Sequence, residues 1–313
     1  MSFMNQIKRS IHSLASTFSI VAFDPLTEDL GVAVQSRYFS VGSVVPWAES
    51  GVGAVATQAD VNVAYGPRGL QLLKKGLTVE EVIHRLTKDD KERDHRQLGI
   101  IDSHGNARAF TGKKCLEWAG GKVGKNYAAQ GNILVREEVV KNMGKRFEST
   151  EGDLAERLVA ALEGGEEAGG DARGRQSAAL LVVRKGCGPA GYGDRYIELR
   201  VEDHQNPIAE LKRLLGLHCV YTLIGQGEDE LEKGNFKTAL ATLKKAISLN
   251  PRIDDAHLDL GIVNMKLGKK KESVDAFKEA FRLNPNMKTV VKQFPKAGFM
   301  EYNKEIFAEL GIS

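Results

Sequence analysis

Three apolar runs near the start of the chain carry almost no polar alternation: Thr17 to Phe23, Gly31 to Val34 and Gly51 to Ala56. Runs this short, rich in β-branched residues and bounded by Gly, Pro and Asp, predict strands covered on both faces. The polar stretch Asp24 to Asp29 predicts the turn that folds the first two into a hairpin. Val41 to Val45 predicts a further strand, with Pro46 and Trp47 leading into the run that ends at Gln58. Gly66-Pro67-Arg68-Gly69 then punctuates the chain, and Leu70, Leu72, Leu73 and Leu77 follow at helical spacing. Thr78-Val79-Glu80-Glu81 has the form of a capping box ahead of Val82, Ile83 and Leu86. The charged stretch Lys88 to Arg96 alternates in sign and predicts a solvated connection.

A second hairpin is predicted from Leu98 to Asp102 and Ala107 to Thr111, turning at Ser103-His104-Gly105-Asn106. Ala128 to Asn132 precedes a helical pattern through Val135, Val139, Val140 and Met143, and Leu154, Leu158, Val159 and Leu162 mark another. Gly164 to Asp171 is so rich in glycine and acid that a flexible loop is expected. Ser177 to Arg184 is the most apolar strand of the chain, Tyr196 to Val201 predicts one more, and Pro207 to Leu217 predicts a closing helix. Strands arrive in hairpins and helices in pairs, which points to a layered α+β domain rather than alternating βαβ units.

The pattern changes near residue 218. Gly227, Gly234, Ala246, Leu249, Asn250 and Pro251 return 34 residues later as Gly261, Gly268, Ala280, Leu283, Asn284 and Pro285. That period, with small residues inside helix pairs and Pro after each second helix, is the tetratricopeptide (TPR) signature. The expected organisation is a leader at 1–16, disordered or helical, an α+β domain at 17–216, and an all-α TPR domain at 218–313. The last comprises repeats at 220–253 and 254–287 and a capping helix, and its concave groove is expected to bind a protein or peptide partner.

Composition narrows the function classes. The 44 basic and 41 acidic residues nearly cancel, leaving a net charge of +3 that gives no electrostatic reason to expect nucleic acid. No run approaches the roughly 18 apolar residues of a membrane span. Cys115, Cys187 and Cys219 lie far apart without paired spacing, which suggests neither a disulfide framework nor a zinc site and fits a cytoplasmic location. The seven histidines are scattered and no metal or other cofactor is expected. Two repeats and a cap are fewer than a free-standing array needs, so support from the first domain or from a homo-oligomer is expected.

The chemical interest lies in the first residue of the first strand. A threonine there becomes a nucleophile if the chain is cut before it, because the freed α-amine sits beside the hydroxyl as its base. The opening hairpin, together with Tyr65-Gly66-Pro67-Arg68-Gly69, Ala129-Gln130-Gly131-Asn132, Gly174-Arg175-Gln176-Ser177-Ala178 and Gly191-Tyr192-Gly193-Asp194-Arg195, resembles the DUF1028 family. That family is of unknown function and is grouped with the N-terminal nucleophile (Ntn) hydrolases. The resemblance covers about residues 16 to 216 and implies a four-layer αββα sandwich, with the TPR segment as an appended module. The hairpin also resembles the start of a proteasome-type β-subunit. That likeness implies Thr17 as nucleophile, with an oxyanion held by a backbone N–H near Gly51 or Gly53 or by the side chain of Gln130 or Asn132.

The chain departs from that pattern twice. No lysine lies between Lys8 and Lys74 to tune the amine, and 16 residues precede Thr17, so its nitrogen is an amide until the chain is cut. Candidate substrate-binding residues are Gln58, Arg68, Gln130, Asn132, Asp171, Arg175, Gln176 and Ser177. Gln58, with Thr57, either lines a pocket or forms a buried hydrogen-bonded pair. Arg68 either grips a carboxylate or anchors its loop. Asp171, Arg175, Gln176 and Ser177 stand where a loop meets a core strand, and Arg175 could equally neutralise Asp171. Asp194 is expected to position a loop. Two functions compete: an amidohydrolase acting on a small amide or acylated amine, and a non-catalytic scaffold of the same fold whose TPR groove carries the function.

Overall fold

The structure, a computed structural model, describes residues 17–188 and 191–312; the expected leader lies outside them. The chain divides into two compact units after Leu215.

The first unit is a mixed α/β domain with two antiparallel sheets. One has six strands in the order β10-β9-β2-β1-β8-β7 and the other four in the order β3-β4-β5-β6. In the first sheet, β1 (Thr17–Phe23) pairs with β2 (Leu30–Ser36) on one side and β8 (Tyr127–Gly131) on the other. β9 (Ser177–Val183) lies beyond β2, β10 (Arg195–Val201) beyond β9, and β7 (Gly120–Gly124) on the free side of β8. The second sheet is β3 (Pro46–Glu49), β4 (Gly53–Ala59), β5 (Arg96–Asp102) and β6 (Ala107–Thr111).

Period-2 alternation assigns each strand residue to one of two faces. Phe18, Ile20 and Tyr127 pack under α3 (Glu138–Ser149) and α4 (Leu154–Glu167) with Met143, Phe147, Leu158 and Leu162. Val55, Leu98 and Ile100 pack under α1 (Tyr65–Lys74) and α2 (Val79–Lys88) with Leu70, Leu73 and Val82. The remaining faces, including Val21, Val32, Val34, Ala54, Ala56 and Ile101, meet one another between the sheets. Burial on both sides is why β1, β2, β4 and β9 show no polar alternation in the sequence.

Several expectations need correction. Val41 to Val45 is not a strand. Ser40 takes a left-handed conformation with φ 57°, and the amides of Val44 and Val45 donate back to Val41 O, closing a 3-10 turn at Val41–Ser43. Gly66 to Gly69 does not precede the helix but forms its first turns, because Pro67 near a helix start lacks only an N–H that would be unpaired there. Gly164 and Gly165 belong to α4 rather than to a loop, since α3 and Phe18 approach the helix too closely for a Cβ there. Nor is Lys88 to Arg96 simply solvated. Asp90 accepts hydrogen bonds from Tyr65 Oη at 2.7 Å and Arg96 Nε at 3.0 Å. Burial opposes ionisation of Asp90, but the bonds from Arg96 and Tyr65 outweigh it and hold the carboxyl well below the usual range. The capping box forms as expected, with Glu81 N on Thr78 Oγ1 and Thr78 N on the Glu81 carboxylate.

Helix α5 (Pro207–Glu232) is longer than the expected closing helix and contains the division between the units. The second unit is helical: the rest of α5, α6 (Phe236–Leu249), α7 (Asp254–Lys266), α8 (Lys270–Leu283), and then α9 (Met287–Ala297) and α10 (Lys304–Glu309), where one capping helix was expected. The repeated glycines allow close helix approach. A Cβ on Gly227 would lie 2.8 Å from Leu243, and one on Gly261, 34 residues later, 2.8 Å from Phe277.

Candidate active site between the two sheets

At one end of the seam between the sheets the apolar residues give way to hydroxyls and carboxamides, all buried. Alternation places Thr17 and Ser19 of β1, Ser36 of β2, Gln58 of β4, Gln97 of β5 and Gln130 of β8 on the facing sides. Ser19 Oγ donates to Gln58 Oε1 at 2.6 Å and accepts from Gln130 Nε2 at 2.6 Å. Gln58 Nε2 reaches Gln97 Oε1 at 2.8 Å and the carbonyl of Thr17 at 3.3 Å. Asn132 Nδ2 also donates to Gln97 Oε1 at 2.8 Å, and its backbone N–H holds Thr17 O at 3.1 Å. Gln97 Nε2 in turn reaches Gly131 O at 2.7 Å and Thr111 Oγ1 at 2.9 Å. Gly99 of β5 makes room for this cluster, because a Cβ there would stand 2.1 Å from Gln130 Oε1.

Thr17 lies at the margin of the network. Its Oγ1 is 3.3 Å from Ser36 Oγ, and the residue has 0 % exposed surface. Ser36 Oγ also accepts from Tyr38 N at 3.0 Å. Lacking any ionisable member, the cluster binds by hydrogen bonds alone and does not itself change charge with pH. Gly51 and Gly53 stand at the other end of β4, some five residues or about 17 Å along the strand from Gln58. Their N–H groups therefore do not face Thr17, and of the expected oxyanion donors only Gln130 and Asn132 stand at this end.

The remaining candidates separate. Asp171 is buried and held by Arg173 through Nε at 3.2 Å and Nη2 at 3.0 Å, while it accepts Arg37 N at 3.1 Å. Arg175 does not neutralise Asp171; it pairs with Glu166 of α4 and donates to Asn206 Oδ1 at 2.9 Å. Gln176 N donates to Ser36 O at 3.0 Å, and its side chain joins Arg37 to Asp203. Ser177 pairs with Ser36 in register, but its hydroxyl is committed to Tyr38 O at 2.5 Å and to Val41 N at 3.1 Å. Arg68 is exposed on α1 and takes no part in the network. Asp194 accepts Ser50 N at 2.9 Å and so ties down the β3–β4 turn.

The model of DUF1028, a family of unknown function, matches residues 17–211 and so begins on Thr17. The chain belongs to the DUF1028 family. A crystal structure of a DUF1028 protein from Silicibacter pomeroyi is similar, with 33% identity and a TM-score of 0.59 over 64% of this chain and 85% of that one. TPR models match residues 227–268 and 254–287. No curated protein matches. Within the DUF1028 domain, sequence reasoning had missed Ser19, Ser36, Arg37, Gln97 and Arg173. Ser36 and Arg37 lay in plain view, one residue beyond the apolar run Gly31 to Val34 of the opening hairpin.

Proposed function

We propose that the DUF1028 domain is an N-terminal nucleophile amidohydrolase with Thr17 as its nucleophile, acting on a small amide or acylated amine. The observation that carries this reading is the position of Thr17. It is the first residue of a central strand, where β1 enters the polar end of the seam, with its hydroxyl beside Ser36 and its carbonyl fixed by Gln58 and Asn132. The helix–sheet–sheet–helix packing of the domain supports the four-layer αββα sandwich that this class requires.

The chemistry requires cleavage between Ser16 and Thr17, which creates the α-amine and a new chain end in one step. Oγ1 then bonds to the substrate carbonyl carbon while its proton passes to the amine and on to the leaving nitrogen as the C–N bond breaks. Water hydrolyses the resulting ester and returns the proton to Oγ1. Gln130 and Asn132, the amides nearest that end of β1, are the candidate oxyanion donors, and would have to turn from Ser19 and Gln97 to act.

Intact-mass measurement of the purified protein tests the reading. A chain beginning at Thr17 is expected, together with loss of at least 1000-fold in amide hydrolysis in Thr17→Ala. A chain uniformly uncut before Thr17, with any hydrolysis unaffected by Thr17→Ala, would refute it. The full burial of Thr17 favours a second reading in which the domain is never processed and serves as a scaffold. TPR repeats generally mediate protein–protein interaction, and partner capture lost on deleting residues 218–313 would then carry the function.

A further inference from the structure

Two cavities of the DUF1028 domain share Arg175 and Asn206 as a common wall. The smaller, about 230 Å³, is lined by Glu163, Glu166 and Glu167. The larger, about 570 Å³, is lined by Arg37, Gln176, Asp203 and His204. Arg175 is neutralised from the acidic side by Glu166. Arg37 is not neutralised: its guanidinium donates through Nη1 to the neutral Gln176 carboxamide, and among the described residues no carboxylate pairs with it. Asp203 accepts from the opposite end of that carboxamide, Gln176 Nε2, at 3.1 Å. One bond at Nη1 leaves the Nε–Nη2 edge of Arg37, the edge that grips a carboxylate side-on. His204 accepts Asn206 N on Nδ1 at 3.0 Å, which places its proton on Nε2 as a second donor.

This cavity lies at the end of β2 and β9 where, across the sheet, β1 begins with the candidate nucleophile. Arg37 directly follows Ser36, whose Oγ is 3.3 Å from Thr17 Oγ1. The Gln176–Ser177 end of β9 is two strand spacings, about 10 Å, from Thr17. We propose that the cavity binds the carboxylate of a ligand through Arg37, and that the substrate class is an N-acylated small amino acid, its amide at Thr17 and its carboxylate on the guanidinium. The amide half of this assignment rests on the nucleophile reading; the carboxylate half stands without it.

Binding of N-acetyl-β-alanine and of its neutral carboxamide, N-acetyl-β-alaninamide, by the full chain tests the proposal. Ligand-observed NMR titration in a Thr17→Ala background keeps turnover out of the measurement. The acid is expected to bind at least tenfold more tightly than the carboxamide. Arg37→Gln, at an exposed position that leaves the fold intact, should abolish that preference, and Arg37→Lys should keep only part of it because a point charge replaces the fork. No preference for the acid, or a preference that survives Arg37→Gln, overturns the proposal. If the preference depends on Arg37 while intact mass shows an uncut chain, the carboxylate site stands and the nucleophile reading falls. If the chain is cut and hydrolyses amides without preferring the acid, the reverse holds.

Discussion

Each unit of the protein buries a polar cluster, and the two clusters are built on opposite principles. The seam of the DUF1028 domain holds hydroxyls and carboxamides that donate and accept in turn, with Gln97 bonded to Gln58, Asn132, Thr111 and Gly131. The repeat unit instead collects carboxylates. Asp259 on α7 is 8 % exposed, its Oδ2 has no hydrogen-bond partner among the described residues, and Glu228 and Asp255 add their charges to it. Alternating donors and acceptors satisfy one another after losing water, whereas carboxylates can do so only by keeping a proton, as in the hydrogen bond between Asp259 and Glu228. The seam is consequently expected to hold over a wide pH range, and the repeat unit to lose stability as pH rises.

The largest expected effect comes from removing the charge at the heart of the second cluster. Burial, followed by the neighbouring charges of Glu228 and Asp255, pushes the Asp259 carboxyl up to about 8. Burial and acidic neighbours raise Glu228 and Asp255 as well. Below about pH 4 Asp259 is protonated in both folded and unfolded chains and costs nothing. As pH rises toward 8 the unfolded chain releases this proton while the folded one retains it, so folding loses stability on the order of 5 kcal/mol. Asp259→Asn should recover most of that loss at pH 8, recover nothing at pH 4, and flatten the profile between them. Trp47 and Trp118 both belong to the DUF1028 domain. The gain should therefore appear in helical circular dichroism and be absent from tryptophan fluorescence. A pH profile unchanged by the substitution would mean that Asp259 is ionised and paired.

Breaking the first cluster should cost somewhat less and show no such pH dependence. Gln97→Leu removes the acceptor shared by Gln58 Nε2 and Asn132 Nδ2 and the donor to Gly131 O and Thr111 Oγ1 in a dry seam, while Gln58 keeps its bond to Thr17 O. At about 1–3 kcal/mol for each buried orphan, partly relieved by relaxation, a loss of about 3–4 kcal/mol is expected. Denaturant unfolding followed by tryptophan fluorescence at pH 5 and pH 8 would measure it. A loss below about 1 kcal/mol, or one that varies with pH, would show that the network is not self-contained.

The contrast also marks what the sequence could disclose. Local signals were legible: the apolar runs of β1, β2, β4 and β9, the capping box at Thr78, and the 34-residue period behind Gly227 and Gly261. Elements whose residues lack a β signature were not. β7 is Gly-Gly-Lys-Val-Gly and β8 is Tyr-Ala-Ala-Gln-Gly, small residues that fit where Ala109, Gln130 and Leu134 press close, and neither run was read as a strand. The site was half visible. Thr17 and Gln58 stood out as polar residues at strand ends, and Gln130 and Asn132 through the motif Ala129-Gln130-Gly131-Asn132. Gln97 did not, because its partners lie 14 to 39 residues away and meet it only through sheet register. Gly51 and Gly53, named through the proteasome-like resemblance, misled for the same reason, since their register puts them at the far end of β4.

The smallest expected effect comes from a residue that neither cluster has absorbed. Gln35 sits on β2 one residue before Ser36, so alternation turns it away from the seam toward the helix-covered face. Its cross-strand neighbours there are Phe18 and Ala178, and both ends of its carboxamide are buried without a hydrogen-bond partner among the described residues. It therefore bears the desolvation cost that its equivalents in the seam avoid. Gln35→Leu keeps the volume and removes the two orphaned groups, so a gain of about 1 kcal/mol is expected. It should appear as a shift in denaturant midpoint with an unchanged slope. A loss of similar size would mean that the Gln35 carboxamide has a polar partner in solution, and this face of β2 would then hold a ligand-binding group in place of an unpaid burial cost.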